Sequence, residues 1–150
     1  MKAFSTNLFV SLLCLSSTLL AESLPVPVKL SKAQIDGSIF SATQPVVEQH
    51  DNERGPFTTE DVELFLSSDK HLDSGMYRSG ANRFVINEAY GVDEFMYFFK
   101  GGVKLTSANG EVMEINAGDA VTIPKEWTGI WETDGYTKIY VIYSADKEIE

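Results

Sequence analysis

Glu94 heads a run that is otherwise apolar at every position, Phe95-Met96-Tyr97-Phe98-Phe99. A carboxylate on an apolar face has to be ion-paired, hydrogen-bonded or neutralised by a proton. Each of those states is usable chemistry, either as a charged anchor for an ammonium or hydrogen-bond donor, or as a general acid/base. Alternation along a strand sets Met96 and Phe98 on the same face as Glu94, as core filling or as ligand contacts. Glu88 and Tyr90 precede it, and Trp131, Phe84 and Ile86 lie on segments that can neighbour it. An aromatic pocket with one carboxylate suits a small molecule carrying an apolar body and a cation or donor. Desolvation, Glu88 and Asp93 favour the neutral carboxyl, whereas Lys138, if it points inward, holds it as an ion pair.

Other chemistries find little support. His50 lies in the polar run Glu48-Gln49-His50-Asp51-Asn52 and His71 in the turn Asp69-Lys70-His71-Leu72-Asp73. Both are expected as solvated surface residues and not as ligands or bases. There is no G-x-S-x-G pattern to mark a nucleophilic serine. Two carboxylates and a phenol (Glu88, Glu94 and Tyr90) are a poor basis for a metal centre, although oxygen ligands suit Mg²⁺ or Mn²⁺. The expectation is a site without metal or cofactor, with a divalent cation such as Mn²⁺ as the alternative.

These side chains must be positioned by short strands. Beyond Thr59, apolar-rich segments fall at Val62–Leu66, Gly75–Tyr77, Arg83–Ile86, Glu94–Phe99, Val103–Thr106, Val112–Ile115, Ala120–Ile123, Gly129–Trp131 and Lys138–Tyr143. Turn-forming pairs separate them, including Ser79-Gly80, Gly101-Gly102, Gly118-Asp119 and Asp134-Gly135. Asn109-Gly110 is the strongest hairpin signal and predicts a type I′ turn joining Val103–Ser107 to Glu111–Ile115. Many short strands without a helical period predict an all-β antiparallel barrel or sandwich. The two-sided apolar strand at Phe95–Phe99 needs cover on both faces, from a second sheet or a second subunit. Residues 22–58 read as an extended arm punctuated by Pro25, Pro27, Pro45 and Pro56, with short strands near Val28–Leu30 and Ser38–Phe40 and a solvated loop over Glu48–Gly55.

The chain of 150 residues carries 12 Lys+Arg against 22 Asp+Glu, a formal charge of −10, with 43% hydrophobic and 23% charged residues. That is the composition of one ordinary folded domain. Its acidity argues against nucleic acid and anionic membrane surfaces as partners. Met1-Lys2, the apolar stretch Leu8–Leu20 and Ala21-Glu22-Ser23 form a secretory leader, with cleavage between Ala21 and Ser23. The single cysteine, Cys14, sits inside that stretch, so the mature chain has no thiol for disulfides, nucleophilic attack or thiolate metal binding. No membrane anchor remains after cleavage, and a secreted or periplasmic location follows.

The order of these features resembles the cupin superfamily. Glu94 with Gly101, the Asn109-Gly110 hairpin, Gly118-Asp119 with Pro124, Gly129 with Trp131, and Lys138-Ile139-Tyr140 are similar to the branch of ureidoglycine-aminohydrolase-like and ethanolamine-utilisation-type cupins. The likeness runs from about Val62 to Tyr143. It implies a single small jelly-roll β-barrel with a ligand cavity at one mouth, so that residues 1–21 are leader, 22–58 arm and 59–150 barrel. Of the four usual cupin metal-ligand positions only Glu94 is kept; the others fall at Glu88, Tyr90 and Gly129, none of them histidine. Tyr77 sits near where that branch carries a further aromatic residue. The function expected is binding of a small polar or amine-bearing metabolite, anchored by Glu94, with Tyr90, Trp131 and Tyr77 as walls and Glu88, Met96 and Phe98 as further contacts. The alternative is an aminohydrolase or isomerase that uses Glu94 as general acid/base. The family resemblance and the two-sided strand also imply a homodimer.

Overall fold

The computed structural model describes residues 26–149. The leader at 1–21, Cys14 and the cleavage region between Ala21 and Ser23 lie outside the described residues. The described residues fold, as expected, as an antiparallel, nearly closed β-barrel, to which one short helix is added. The strands are β1 (Val46–Asn52), β2 (Gly55–Leu66), β3 (Leu72–Ser79), β4 (Asn82–Ile86), β5 (Asp93–Ser107), β6 (Val112–Asn116), β7 (Ala120–Ile123), β8 (Gly129–Thr133) and β9 (Tyr136–Tyr143).

β5 organises the barrel. Its first half pairs with β9 on one side and β7 on the other, and its second half pairs with β8 and β6. One strand therefore belongs to both sheets, and the remaining strands continue outward in the order β1-β2-β3-β9-β5-β8-β4. Gly101-Gly102 makes the change of sheet sterically feasible. A Cβ on Gly101 would fall 1.9 Å from the Gly135 carbonyl oxygen, and one on Gly102 would fall 2.2 Å from that of Ile115. Only glycine permits so close a backbone approach.

The Asn109-Gly110 turn forms, but not as type I′. Gly110 alone has positive φ (87°), and its N–H bonds to Ser107 O at 2.8 Å. The loop is thus longer than two residues, with glycine in the left-handed position next to the strand.

The largest differences lie before Thr59. The solvated loop expected over Glu48–Gly55 is a β-hairpin, with Asn52 opposite Gly55 and Val46 opposite Asp61. β1 is a polar edge strand, so it lacks the apolar alternation that marks a buried one. The strands expected near Val28–Leu30 and Ser38–Phe40 are absent. A helical turn over Gln34–Ser38, kinked at Gly37 (φ 114°), leads instead into α1 (Ile39–Ala42). Ser31 and Gln34 cap this segment reciprocally. Ser31 N–H donates to Gln34 Oε1 at 2.9 Å, and Gln34 N–H donates to Ser31 Oγ at 3.3 Å.

Two apolar clusters follow. Met96, Phe98, Val103, Leu105, Ile115, Ile123, Trp131, Tyr136 and Tyr140 fill the barrel. The second cluster lies outside it, where Ile39 and Phe40 cover Val62 of β2 and Met76 of β3, with Phe99 and Ile139 alongside. The chain's own helical segment therefore covers part of the outer face of the two-sided strand, while Phe95 stays 43% exposed.

Candidate functional site

A cavity of about 550 Å³ opens at one end of the barrel, lined by residues of β2, β3, β4, β5, β8 and β9. Strand register explains who faces it. In β9, Lys138, Tyr140 and Ile142 alternate inward. Across β3 they meet Tyr77, Gly75 and Asp73, and across β5 they meet Phe98, Met96 and Glu94.

Glu94 is 3% exposed and Lys138 5%. Lys138 Nζ lies 2.6 Å from Glu94 Oε1 and 3.0 Å from the Met96 sulfur. The Tyr90 hydroxyl donates to Glu94 Oε2. Tyr90 reaches that position because its loop is tied to the one between β7 and β8, Tyr90 N–H to Trp127 O (3.0 Å) and Gly91 N–H to Lys125 O (2.8 Å). The Lys138 ammonium also lies over the rings of Tyr77 (5.4 Å), Trp131 (5.5 Å), Tyr136 (5.8 Å) and Tyr140 (6.0 Å). The carboxylate-plus-aromatic arrangement that suits a ligand cation is thus occupied by a cation of the chain itself.

A second polar group occupies the same cavity. The Tyr140 hydroxyl donates to Asp61 Oδ1 at 3.1 Å, with Asp73 beside it on β3. The ring can lie there because residue 75 is glycine; a Cβ would meet the Tyr140 hydroxyl oxygen at 2.4 Å. Burial pushes both aspartic carboxyls above their ordinary range. The Tyr140 hydroxyl and Lys138 oppose that at Asp61, whereas Glu63 adds to it at Asp73. Burial likewise raises the Tyr140 phenol, reinforced by the two aspartates, and the Tyr90 phenol, reinforced by Glu94. Both are therefore held as hydrogen-bond donors.

The donors do not fit a metal centre of the cupin kind. Lys138 Nζ stands against Glu94 where a cation would have to bind. Gly129 has no room for a ligand side chain, since a Cβ there would fall 2.3 Å from the Thr106 carbonyl oxygen. Among the described residues no three His, Cys, Asp or Glu side chains are grouped closely enough to hold an ion.

Of the residues singled out from sequence, Glu94, Tyr90, Trp131 and Tyr77 line the cavity, together with Phe84 and Ile86. Three do not. Glu88 is exposed on the loop before β5, because the turn that sends Tyr90 inward leaves it in solvent. Met96 and Phe98 are 0% exposed within the barrel core, beneath the cavity floor. The histidines depart from the solvated surface expected of them. His50 is half-buried, stacked on Phe57 with Nε2 3.0 Å from Thr59 Oγ1. His71 is half-buried, with Nδ1 2.5 Å from the Ser144 carbonyl oxygen, which ties down the chain after β9. Neither lines the cavity. Asp61, Asp73, Tyr136 and Tyr140 were missed. Alternation from Lys138 marks Tyr136 and Tyr140, but Asp61 and Asp73 carry no apolar pattern that would have found them.

Residues 84–140 match the family model described as the EutQ-like cupin domain. A protein of the DUF861 family from Pseudomonas syringae is similar over 66% of this chain (20% identity, TM-score 0.59), which spans only 43% of that protein's length. The EutQ protein of Clostridium difficile is similar over 61% of this chain and 71% of its own (24% identity, TM-score 0.51). An ethanolamine utilization protein Q of Salmonella typhimurium is similar over 69% of this chain and 98% of its own (19% identity, TM-score 0.51). These three are likenesses of fold, and no curated protein matches the chain. Over β4 to β9 the chain is thus similar to the EutQ-like cupin domain, and its barrel has the fold of those structures.

Proposed function

We propose that the protein is a secreted or periplasmic cupin that binds a small polar or amine-bearing metabolite in its barrel cavity, without a metal ion. The observation that carries this reading is the cavity of about 550 Å³, walled by Tyr77, Tyr90, Trp131 and Tyr140, with the Glu94–Lys138 pair as its polar base. A concave, mainly apolar site with a few convergent polar groups is the form a small-ligand site takes. Lys138 fills the cation position beside Glu94, which supports binding independent of metal.

The test is a thermal-shift screen of small amines, amino alcohols and sugar acids, paired with elemental analysis of protein purified from its own compartment. Binding by protein that contains no metal supports the reading. Stoichiometric manganese, iron or zinc overturns its metal-free part, and a screen in which nothing binds overturns the whole.

An enzyme of the aminohydrolase or isomerase kind is the second reading. It is favoured by the Tyr90–Glu94 hydrogen bond, which sets a proton donor against a carboxylate at the cavity wall. Turnover of a bound screening hit, lost in Glu94→Gln with binding retained, would select it. A homodimer through the outer faces of β3, β5 and β9 belongs to the same proposal. Phe95, Tyr143 and Leu72 remain 43%, 50% and 37% exposed there. Light scattering that gives a monomer at high concentration counts against it.

A further inference from the structure

We propose that Asp61 and Asp73, on either side of the Tyr140 hydroxyl, form the cation-binding subsite of the cavity, so that a ligand's ammonium binds there and not against Glu94. The inference rests on the small-molecule reading above and names its ligand class as a small organic cation, a primary or secondary ammonium or an amidinium.

Three observations carry it. First, Asp73 is 92% buried by its 8% exposure, lines the cavity, and its Oδ1 has no hydrogen-bond partner among the described residues. A buried polar atom left unpaired costs the full desolvation of that atom, so it marks a place for a donor. Second, the donors of Tyr140 and Lys138 are spoken for. Tyr140 has one proton, directed to Asp61 Oδ1, and the Lys138 ammonium is directed to Glu94 and the Met96 sulfur. Among the described residues no Lys, Arg or His is ion-paired with Asp61 or Asp73. Third, the charges lining the cavity do not balance, with three carboxylates (Asp61, Asp73 and Glu94) facing the one ammonium of Lys138.

The strand register makes the two aspartates a single subsite. Asp61 lies opposite Tyr77 across β2 and β3, and Asp73 is four residues before Tyr77 on β3 with Gly75 between them. Gly75 presents no side chain, and the Tyr140 ring lies over it with its hydroxyl on Asp61. An ammonium on the cavity side of that hydroxyl donates to Asp73 and to Asp61 while lying near the faces of Tyr77 and Tyr140.

The experiment measures binding of n-butylammonium, its neutral isostere n-butanol, and calcium ion by calorimetry. It uses wild-type protein and the variants Asp73→Asn, Asp61→Asn, Glu94→Gln and the exposed-site control Glu88→Gln. Wild type and Glu88→Gln are expected to bind n-butylammonium and to bind n-butanol at least about tenfold more weakly. Asp73→Asn is expected to lose about tenfold or more in affinity for the amine, the loss of one charge-assisted hydrogen bond. Asp61→Asn gives the same readout should Asp73→Asn fail to fold. Amine binding unchanged in both aspartate variants but abolished in Glu94→Gln overturns the inference and leaves the small-molecule reading standing. So does n-butanol binding as tightly as the amine. Calcium binding that is lost in Asp73→Asn overturns the organic cation in favour of an inorganic one. If wild type binds none of the probes, the inference and the reading beneath it fail together.

Discussion

Lys138 Nζ sits 2.6 Å from Glu94 Oε1 within the barrel, and the opposite carboxylate oxygen receives the Tyr90 hydroxyl. Both partners are almost wholly buried, so each charge depends on the other to offset its lost hydration. Lys138→Met is therefore expected to destabilise the fold by about 3–5 kcal/mol, because it leaves the carboxylate buried and unpaired. Lys138→Met with Glu94→Leu is expected to recover most of that loss. Denaturant titration of both variants checks this in a double-mutant cycle. A single variant within about 1 kcal/mol of wild type would mean that the pair contributes little.

Gly75 is occupied from above by the Tyr140 ring. A Cβ there would lie 2.4 Å from the hydroxyl oxygen and 2.5 Å from Cζ. Gly75→Ala is expected to cost about 1–3 kcal/mol through overpacking. Tyr140→Phe in that background should bring no relief, since Cζ and Cε1 (2.7 Å) remain in the way. Tyr140→Ala should relieve it, so that the double variant costs less than the sum of the singles. Thermal or denaturant unfolding of the four proteins gives the comparison.

Burial raises the Asp61 and Asp73 carboxyls, so the folded state holds their protons more tightly than the unfolded chain. The stability this contributes is complete below the ordinary aspartate value and is lost as pH rises through the raised folded values. Tyr140, Lys138, Glu63 and Glu94 are the charged or titratable groups that act on this pair. Asp73→Asn removes one titrating group, so its stability should fall less steeply than that of wild type from pH 4 upward. Unfolding free energies measured across pH 4–8 test the difference in slope. Parallel curves would show that Asp73 titrates normally.

The barrel was legible because β3 to β9 carry either alternation or turn glycines. The strand positions read at Gly75–Tyr77, Ala120–Ile123 and Lys138–Tyr143 all lie within β3, β7 and β9. β2 misleads for a physical reason. Val62 is buried on the outside of the barrel beneath Ile39 and Phe40, whereas the inward face carries Thr59 and Asp61 beside Phe57. The helical segment was hidden because its apolar positions are few, although Ser31 and Gln34 three residues apart are a capping signature. Glu94 was visible as a lone carboxylate among apolar residues. Asp61 and Asp73 were not, since each stands in a polar stretch and only strand register brings them to one wall.

The same helical segment decides between two kinds of cover for the outer face. Cover from a second sheet or a second subunit was expected; the structure folds the arm back on its own barrel, with Ile39 1% and Phe40 5% exposed. Phe40 also lies 4.6 Å beneath the Arg78 guanidinium, which is held by two 2.6 Å bonds from Nε and Nη2 to the Glu60 carboxylate. Ile39→Ala removes buried methyl groups and is expected to cost about 2–5 kcal/mol. Because the contact is within one chain, that cost should not change with protein concentration. Urea titrations at two concentrations a hundredfold apart supply the measurement. A loss that shrinks as concentration rises would mean that Ile39 serves an interface between copies, and the exposed Phe95 would then be its neighbour there.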